Sequence, residues 1–256
     1  MTKFRCLVVL AATVSTLAVA APASALLGQP AHHRTVRVTV PGKVTALSVR
    51  NDIGDITVLP GDVTRVVAVE EYDSKAPTLK HSLDNGLLTV SAPCPRPTGV
   101  ISLGLDNCSV DLIITVPQSV TVDAVDDVGD VKVRDLHGTE SLRTSDGDIL
   151  VRDVAAPMLN VTSDTGSINL DGVRARTLTL KNSDGDIRAD LFATPHTVIA
   201  RNDTGDVALT LPAGIYALDL RTDDGGTHVH GITVHSDAGR TVSAHTSDGD
   251  IRITGR

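Results

Sequence analysis

The chain is organised around a short motif, whose clearest copy reads TSDGDI at residues 144–149. Near-identical copies stand at 182–187 (NSDGDI) and 246–251 (TSDGDI), and looser copies keep the glycine and its polar neighbours. From the second glycine onwards the spacings are 18, 19, 19, 20, 20 and 24 residues, which indicates a repeat of roughly 19 residues. The glycines of the eight copies are Gly54, Gly129, Gly147, Gly166, Gly185, Gly205, Gly225 and Gly249.

The residue types around each glycine are those of a tight turn between two strands. Glycine takes the positive φ angle of such a turn without steric cost, and Asp, Asn, Ser and Thr before it bond to nearby backbone. Apolar residues stand two and four positions after the glycine, as Ile149 and Val151 do, and five and seven before it, as Leu180 and Leu178 do. This alternation predicts strands with one buried face, joined by structural turn glycines.

A strand–turn–strand unit of this length cannot bury its apolar face alone, but stacked copies can bury it against one another. We therefore predict an all-β, single-domain β-solenoid, or β-helix-like array, in which each repeat forms one coil about 4.8 Å from the next. The alternative is an antiparallel β-sandwich in which each Asp-Gly turn is a hairpin tip. The nearly constant period favours the solenoid.

The N-terminal segment is typical of a secretory signal peptide. Lys3 and Arg5 precede an apolar run, and residues 23–25 (ASA) form the small-residue pattern of a cleavage site. We expect residues 1–25 to be removed, which leaves one β-repeat domain over 26–256 in a protein that is secreted or envelope-associated. The repeat is interrupted at about 59–125, which we interpret as an elaborated part of the same β-structure with a hairpin at Asn85-Gly86. The mature chain has no apolar stretch long enough for a transmembrane segment.

Cys94 and Cys108 are the two cysteines that follow the signal segment. A pair of cysteines in an exported chain most often forms a disulfide, so we predict a structural disulfide between them. Closing this loop removes about 3 kcal/mol of unfolded-state entropy.

Composition argues against nucleic acid as a partner. The formal net charge is −8, and aromatic residues make up only 2% of the chain. Nucleic-acid binding needs clustered Lys and Arg, and single strands also need aromatic stacking platforms, so neither requirement is met by the composition.

Two sets of side chains are candidates for metal binding. An Asp follows the repeat glycine in six copies, and stacked carboxylates could hold Ca²⁺; alternatively each carboxylate accepts backbone N–H groups at its own turn and is structural. We favour the structural interpretation, with no catalytic residue, cofactor or metal site, and keep Ca²⁺ as the alternative. Four histidines near the C-terminus could bind zinc or copper, but no spacing fixes a partner for them. The six aspartates are Asp55, Asp130, Asp148, Asp186, Asp206 and Asp250, and the histidines are His228, His230, His235 and His245.

The repeated SDGDI units at 145–149, 183–187 and 247–251, behind a signal-like segment, resemble the bacterial putative-adhesin family of β-strand-repeat domains. The resemblance covers roughly residues 36–256. It implies an adhesin-like β-repeat domain of unknown function and supplies no catalytic residues.

We expect a non-catalytic protein that acts as an adhesin-like binding or scaffold surface towards a cell-surface protein or glycan. The alternatives are a Ca²⁺-binding β-repeat module and a polysaccharide-acting β-helical enzyme with paired carboxylates. The last coil, at residues 246–253, ends close to the chain terminus, so we predict an unpaired strand edge there that invites end-to-end self-association.

Overall fold

The computed structural model describes residues 32–95 and 107–256. In these residues the alternation of apolar and polar positions gives β-strands along the chain. The predicted signal peptide lies outside these residues. Within them, no helix is long and apolar enough to cross a membrane.

The strands are short, and most begin or end at a repeat glycine. Those of the first half are β1 (His32–Thr39), β2 (Ala46–Ile53), β3 (Ile56–Pro60), β4 (Arg65–Tyr72), β5 (Lys80–Asp84), β6 (Leu87–Ala92), β7 (Cys108–Val116), β8 (Thr121–Val128), β9 (Val131–Arg134), β10 (Glu140–Asp146) and β11 (Ile149–Arg152). Those of the second half are β12 (Ala155–Thr165), β13 (Ile168–Asp184), β14 (Ile187–Leu191), β15 (Thr197–Thr204), β16 (Val207–Leu211), β17 (Ile215–Asp224), β18 (Thr227–His230), β19 (Thr233–Val234), β20 (Thr241–Asp248) and β21 (Ile251–Gly255).

Two sheets face each other across the core. Sheet A runs in the order β1, β4, β7, β3, β9, β11, the first half of β13, β14, β16, β21 and β18. Sheet B runs in the order β5, β6, β2, β8, β10, β12, the second half of β13, β15, β20 and β17. Neighbouring strands are parallel except for the outermost ones at one end, where β1, β4 and β5 run antiparallel to their neighbours.

Each coil consists of one sheet B strand, a glycine turn and one sheet A strand. Adjacent coils run parallel and in register, so the array is the predicted β-solenoid, and its parallel pairing excludes an antiparallel sandwich. We call the edge formed by the glycine turns the glycine corner. The return corner is the opposite edge, where the chain passes from sheet A back to sheet B.

Parallel register places like residues on like, and this builds the core. Ile149 pairs with Ile168 and Ile168 with Ile187 in sheet A, while Leu159 pairs with Leu178 in sheet B. All five side chains are 0% exposed. The apolar columns predicted two positions after and seven before the glycine are therefore the two inner faces of the solenoid.

The region at 59–125 belongs to the same two sheets. Within it, β6 and β7 form a further coil that lacks the repeat glycine. The predicted disulfide joins Cys94, just after β6, to Cys108, the first residue of β7, with a Cα–Cα distance of 5.9 Å. The predicted hairpin joins β5 to β6, and its turn residues Asn85 and Gly86 have φ angles of 48° and 83°. Residues 96–106, which complete the disulfide loop, lie outside the described residues.

The order of coils in space differs from their order in the chain at both ends. The first coil, β2–β3, lies between β6–β7 and β8–β9. The last coil, β20–β21, lies between β15–β16 and β17–β18. The prediction of an unpaired edge at residues 246–253 is therefore wrong: both strands there have a neighbour on each side, and β17–β18 is the outermost coil.

Candidate functional site

The glycine corner requires glycine because adjacent coils approach closely there. All eight repeat glycines have φ angles between 111° and 150°, a region that other residues rarely adopt. A Cβ atom on Gly147 would overlap the carbonyl oxygen of Gly129 in the neighbouring coil, and the same contact recurs along the stack. The glycine is thus fixed by its own backbone angle and by the next coil.

An inward-facing polar ladder runs beside these glycines, three positions before each of them. Thr144 donates to the carbonyl oxygen of Gly129 at 2.9 Å, and Asn182 donates to that of Gly166 at 2.8 Å. The residue pattern predicts such bonds within one turn. Asn51 and Ser163 do make them, to the carbonyl oxygens of Gly54 and Thr165, but the ladder side chains also join neighbouring coils. The other donors are Asn51, Ser163, Asn202, Thr222 and Thr246.

The Asp residues after the glycines form a second ladder, which we call the carboxylate ladder. Asp130 Oδ1 accepts the backbone N–H of Asp148 at 2.9 Å, and Asp148 Oδ1 accepts that of Ser167 at 2.7 Å. Each carboxylate therefore bonds to the next coil, whereas we expected a bond at its own turn. The ladder comprises Asp111, Asp55, Asp130, Asp148, Asp186, Asp206 and Asp250.

Asp111 was missed because its coil has Val110 where the others have glycine. The sequence does hold a signal for it, because Asp111 is followed by Leu112, as each motif Asp is followed by an apolar residue. In the structure Leu112 lies in register with Ile56. Gly226 ends the ladder at the other end of the stack. No described coil lies beyond it, so no further N–H needs an acceptor from this position.

Basic side chains neutralise part of the carboxylate ladder. Lys132 Nζ lies 2.6 Å from Asp55 Oδ2 and 3.0 Å from Asp130 Oδ2, and Arg188 lies 2.7 Å from Asp186 Oδ2. Among the described residues, no group of three or more His, Cys, Asp or Glu side chains is placed to hold a metal ion. One oxygen of each ladder Asp accepts a backbone N–H of the next coil, and the second oxygen of Asp55, Asp130 and Asp186 lies beside one of these cations.

The four candidate histidines are not brought together. His228 and His230 lie on the outer face of sheet A, in register with Arg252 and Thr254. His245 lies on sheet B, with its Nε2 atom 3.2 Å from Asp219 Oδ2. Because the outer faces of the two sheets point in opposite directions, His245 cannot share an ion with His228 and His230. His235 follows β19, where its N–H donates to the carbonyl of Tyr216 at 3.0 Å, and within the described residues no third His, Cys, Asp or Glu joins the His228–His230 pair.

Two buried acids depart from the repeat. Glu140 occupies an apolar column of sheet B, and burial raises its pKa to about 8; Asp126 occupies the inward polar ladder, and burial raises its pKa to about 7. Both are 0% exposed, and within the described residues Glu140 has no hydrogen-bond partner on either carboxylate oxygen. At neutral pH Glu140 is therefore held mainly as a neutral carboxylic acid inside the stack, and Asp126 titrates close to neutrality.

The two ends of the solenoid are built differently. At one end β4, β1 and β5 cover the outermost parallel strands. At the other end, within the described residues, β18 has a neighbour only on its inner side, and β17 has only the two-residue contact with β19 on its outer side. We call this second end, formed by β17 and β18, the open end.

The apolar columns of the core stop at the open end without a cover. Val229 continues the column of Leu209 and Ile253, yet it is 42% exposed, while those two are buried. Leu218 and Leu220 of β17 continue the sheet B columns and are only partly buried. The open end therefore combines unpaired backbone with exposed apolar side chains, which is the composition of a docking surface.

Comparisons with known proteins agree with this architecture. A family model described as Toastrack DUF4097 matches residues 29–254. The crystal structure of a "putative adhesin" from Bacteroides fragilis NCTC 9343 has 14% sequence identity, covers 87% of this chain and 97% of its own, and has a TM-score of 0.53. At this identity the likeness concerns the fold alone.

A "putative cell adhesion protein" from Clostridium sporogenes ATCC 15579 has 12% identity and a TM-score of 0.40, and the match covers 88% of this chain and 100% of that one. A "putative adhesin" from Parabacteroides merdae ATCC 43184 has 11% identity and a TM-score of 0.37, with coverage of 85% and 95%. No curated protein matches the chain.

Proposed function

The chain belongs to the Toastrack DUF4097 family, and from this premise we propose that it is a non-catalytic, exported binding or scaffold domain that acts through its open end. The observation that carries the proposal is the difference between the two ends. One end is covered by antiparallel strands, and the other presents the free edges of β17 and β18 with the uncovered core column at Val229.

The backbone of β17 is oriented for strand pairing. The N–H of Ala217 points inward and bonds to the carbonyl of Arg240 at 2.8 Å. Because successive residues of a strand point their N–H and C=O groups to opposite sides, those of Leu218, Leu220 and Thr222 point outward. They offer a segment of backbone donors and acceptors to an incoming strand.

A second copy of this chain fits that edge. Two copies related by a two-fold axis would pair their β17 strands antiparallel, with Leu220 opposite its own equivalent. Asp219 of one copy would then face Arg221 of the other, and the reverse contact would form at the same time. The exposed apolar ends of the two cores would also cover each other.

Export and an adhesin-like role extend the same proposal. The disulfide is of the kind found in oxidising compartments, and the signal-like N-terminus at residues 1–25 is of the kind that directs export. Each Asp of the carboxylate ladder accepts a backbone N–H of the neighbouring coil, which supports a structural role for these carboxylates over that of the acid pair of a polysaccharide-cleaving enzyme. The open end, with its free strand edges and exposed apolar side chains, is suited to binding a partner.

Light scattering on the mature chain tests self-pairing. We expect a mass of twice the monomer for the native chain, and a monomer mass for Arg221→Asp, which places two aspartates opposite each other across the interface. The double variant Asp219→Arg/Arg221→Asp restores opposite charges and should restore the dimer. Arg201→Asp, which makes the same charge change on the same face of an interior coil, should leave it intact. A monomeric native chain, or equal loss of mass in both Asp variants, would contradict the proposal.

A further inference from the structure

A groove whose charged side chains are all basic runs along the return corner, away from the open end. It has a volume of about 540 Å³. Among the described residues, no Asp or Glu lines it. This is unexpected in a chain with a formal net charge of −8. The charged and ionisable lining residues are His137, Arg174, Arg176, His196 and Arg240.

Backbone bonds between successive coils arrange these residues in a row. The N–H of His196 donates to the carbonyl of Arg176 at 2.8 Å, and the N–H of Thr241, next to Arg240, donates to the carbonyl of His196 at 3.0 Å. His137 lies further along the same corner, before β10. The row spans five adjacent coils, which is about 19 Å at a coil spacing of about 4.8 Å.

The three arginines of the groove have no acidic partner. No carboxylate in the described ranges lies within 4 Å of Arg174, Arg176 or Arg240, whereas arginines elsewhere, such as Arg143, are paired. Arg174 instead lies near the ring of Phe192, with its guanidinium carbon 5.7 Å from the ring centroid. All three arginines are exposed, so their guanidinium groups are accessible to a ligand.

Acidic side chains do occur nearby, on the sheet A side of the same corner. Asp135 is 3.6 Å from Arg134, and Asp190 is 2.9 Å from Arg256. Asp237 lines an adjoining pocket that shares His196 and Arg240 with the groove, but none of these three carboxylates lines the groove itself. The positive charge of the arginine row is therefore not cancelled within the groove itself.

The floor of the groove is apolar and shallow. It is formed by small residues, of which Ala156, Ala175 and Pro195 are buried, and Thr194 adds a hydroxyl group at the rim. A floor of methyl and pyrrolidine groups adds no favourable contact for a purely ionic ligand, and it has no aromatic ring on which a nucleobase could stack. It does suit the C–H faces of sugar rings.

We propose that this groove binds a linear acidic polysaccharide, with the carboxylates of successive sugars on the arginine row and the sugar rings on the Ala and Pro floor. The guanidinium fork matches a carboxylate in two parallel hydrogen bonds, which is why arginine suits this contact better than a point charge. The coils repeat along the groove and the sugars repeat along the ligand, so several weak contacts form at once and together raise the affinity. This site is separate from the open end and does not depend on self-pairing.

Calorimetric titration of the mature chain with oligogalacturonate at low salt tests the proposal. We expect binding that weakens as salt is added, because exposed charge pairs are screened. The double variant Arg176→Ala/Arg240→Ala should weaken binding about tenfold or more, since two charge-assisted contacts are lost. The control Arg50→Ala/Arg201→Ala removes the same charge from exposed positions of sheet B and should bind as the native chain does.

Three results would overturn the assignment. The first is no binding of oligogalacturonate by the native chain at low salt. The second is equal weakening in the control variant, which would indicate nonspecific attraction. The third is binding of inorganic polyphosphate or single-stranded DNA as tight as that of oligogalacturonate, which would show that the apolar floor selects nothing. Thermal melts of both variants verify that the fold is retained.

Discussion

Replacing Glu140 by glutamine is expected to remove a large part of the pH dependence of stability. Glu140 lies in an apolar column of sheet B, in register with Val122 on one side and Leu159 on the other. It is 0% exposed, and neither carboxylate oxygen has a hydrogen-bond partner. Burial raises its pKa from 4.5 to about 8, so the folded protein holds it as a neutral acid at neutral pH.

The sign and size follow from proton linkage. Between pH 4.5 and about 8 the unfolded chain has released this proton, while the folded chain still holds it. The free energy of unfolding therefore falls as pH rises, by about 1.4 kcal/mol per pH unit, which is on the order of 5 kcal/mol across the window. The stabilising contribution is fully present below pH 4.5 and has been lost above about pH 8. Glutamine has nearly the same shape and does not titrate, so the variant lacks this slope.

Urea unfolding followed by circular dichroism at pH 5, 6, 7 and 8 measures the effect. We expect the difference in unfolding free energy between Glu140→Gln and the native chain to grow steadily in favour of the variant. Glu71→Gln makes the same change at an exposed position of β4 and should give a difference that stays near zero. Asp126→Asn removes the second buried acid, and combined with Glu140→Gln it should flatten the profile further. A constant difference between the native chain and Glu140→Gln at every pH would refute the reasoning.

Three further predictions concern the framework. Gly147→Ala should destabilise the protein by about 3 kcal/mol or more, because the new Cβ would overlap Gly129 and the φ angle of this residue is 150°. In the same urea assay the control Gly239→Ala, which has open space around it, should change stability by less than about 0.5 kcal/mol. Replacing Cys94 and Cys108 by serine should cost about 3 kcal/mol, and reduction of the native chain should lower its midpoint to that of the variant; an unchanged midpoint would contradict this. Excess Ca²⁺ and EDTA should leave the melting temperature unchanged, because ladder oxygens already bond to backbone N–H groups; a Ca²⁺-dependent rise would assign a metal site to the carboxylate ladder.

Local patterns in the sequence carried most of the fold. The spacing of the glycines and the alternation around Ile149 and Leu178 depend only on neighbouring residues, and both translate directly into coils with two inner faces. The disulfide was predictable because Cys94 and Cys108 are the two cysteines after the signal segment.

Contacts between coils could not be predicted in the same way. From the sequence alone, the side chain of Thr144 and the carboxylate of Asp148 are expected to bond within their own turns, but in the stack each bonds to a neighbouring coil. The exchanged order of the last two coils left only an indirect signal, the 24-residue interval before Gly249. That interval contains β19 and the segment that returns the chain past β17–β18.

The exchanged order of the last coils also determines how the molecule responds to mechanical load. A pull on the C-terminus acts on β21, which is hydrogen-bonded to β16 on one side and β18 on the other, so two ladders must rupture together. A pull on the N-terminal side acts on β1, which in the described residues pairs only with β4 and is held by a single ladder. A protein stretched between two attachments would therefore yield first at β1, while its C-terminal strand stays clamped.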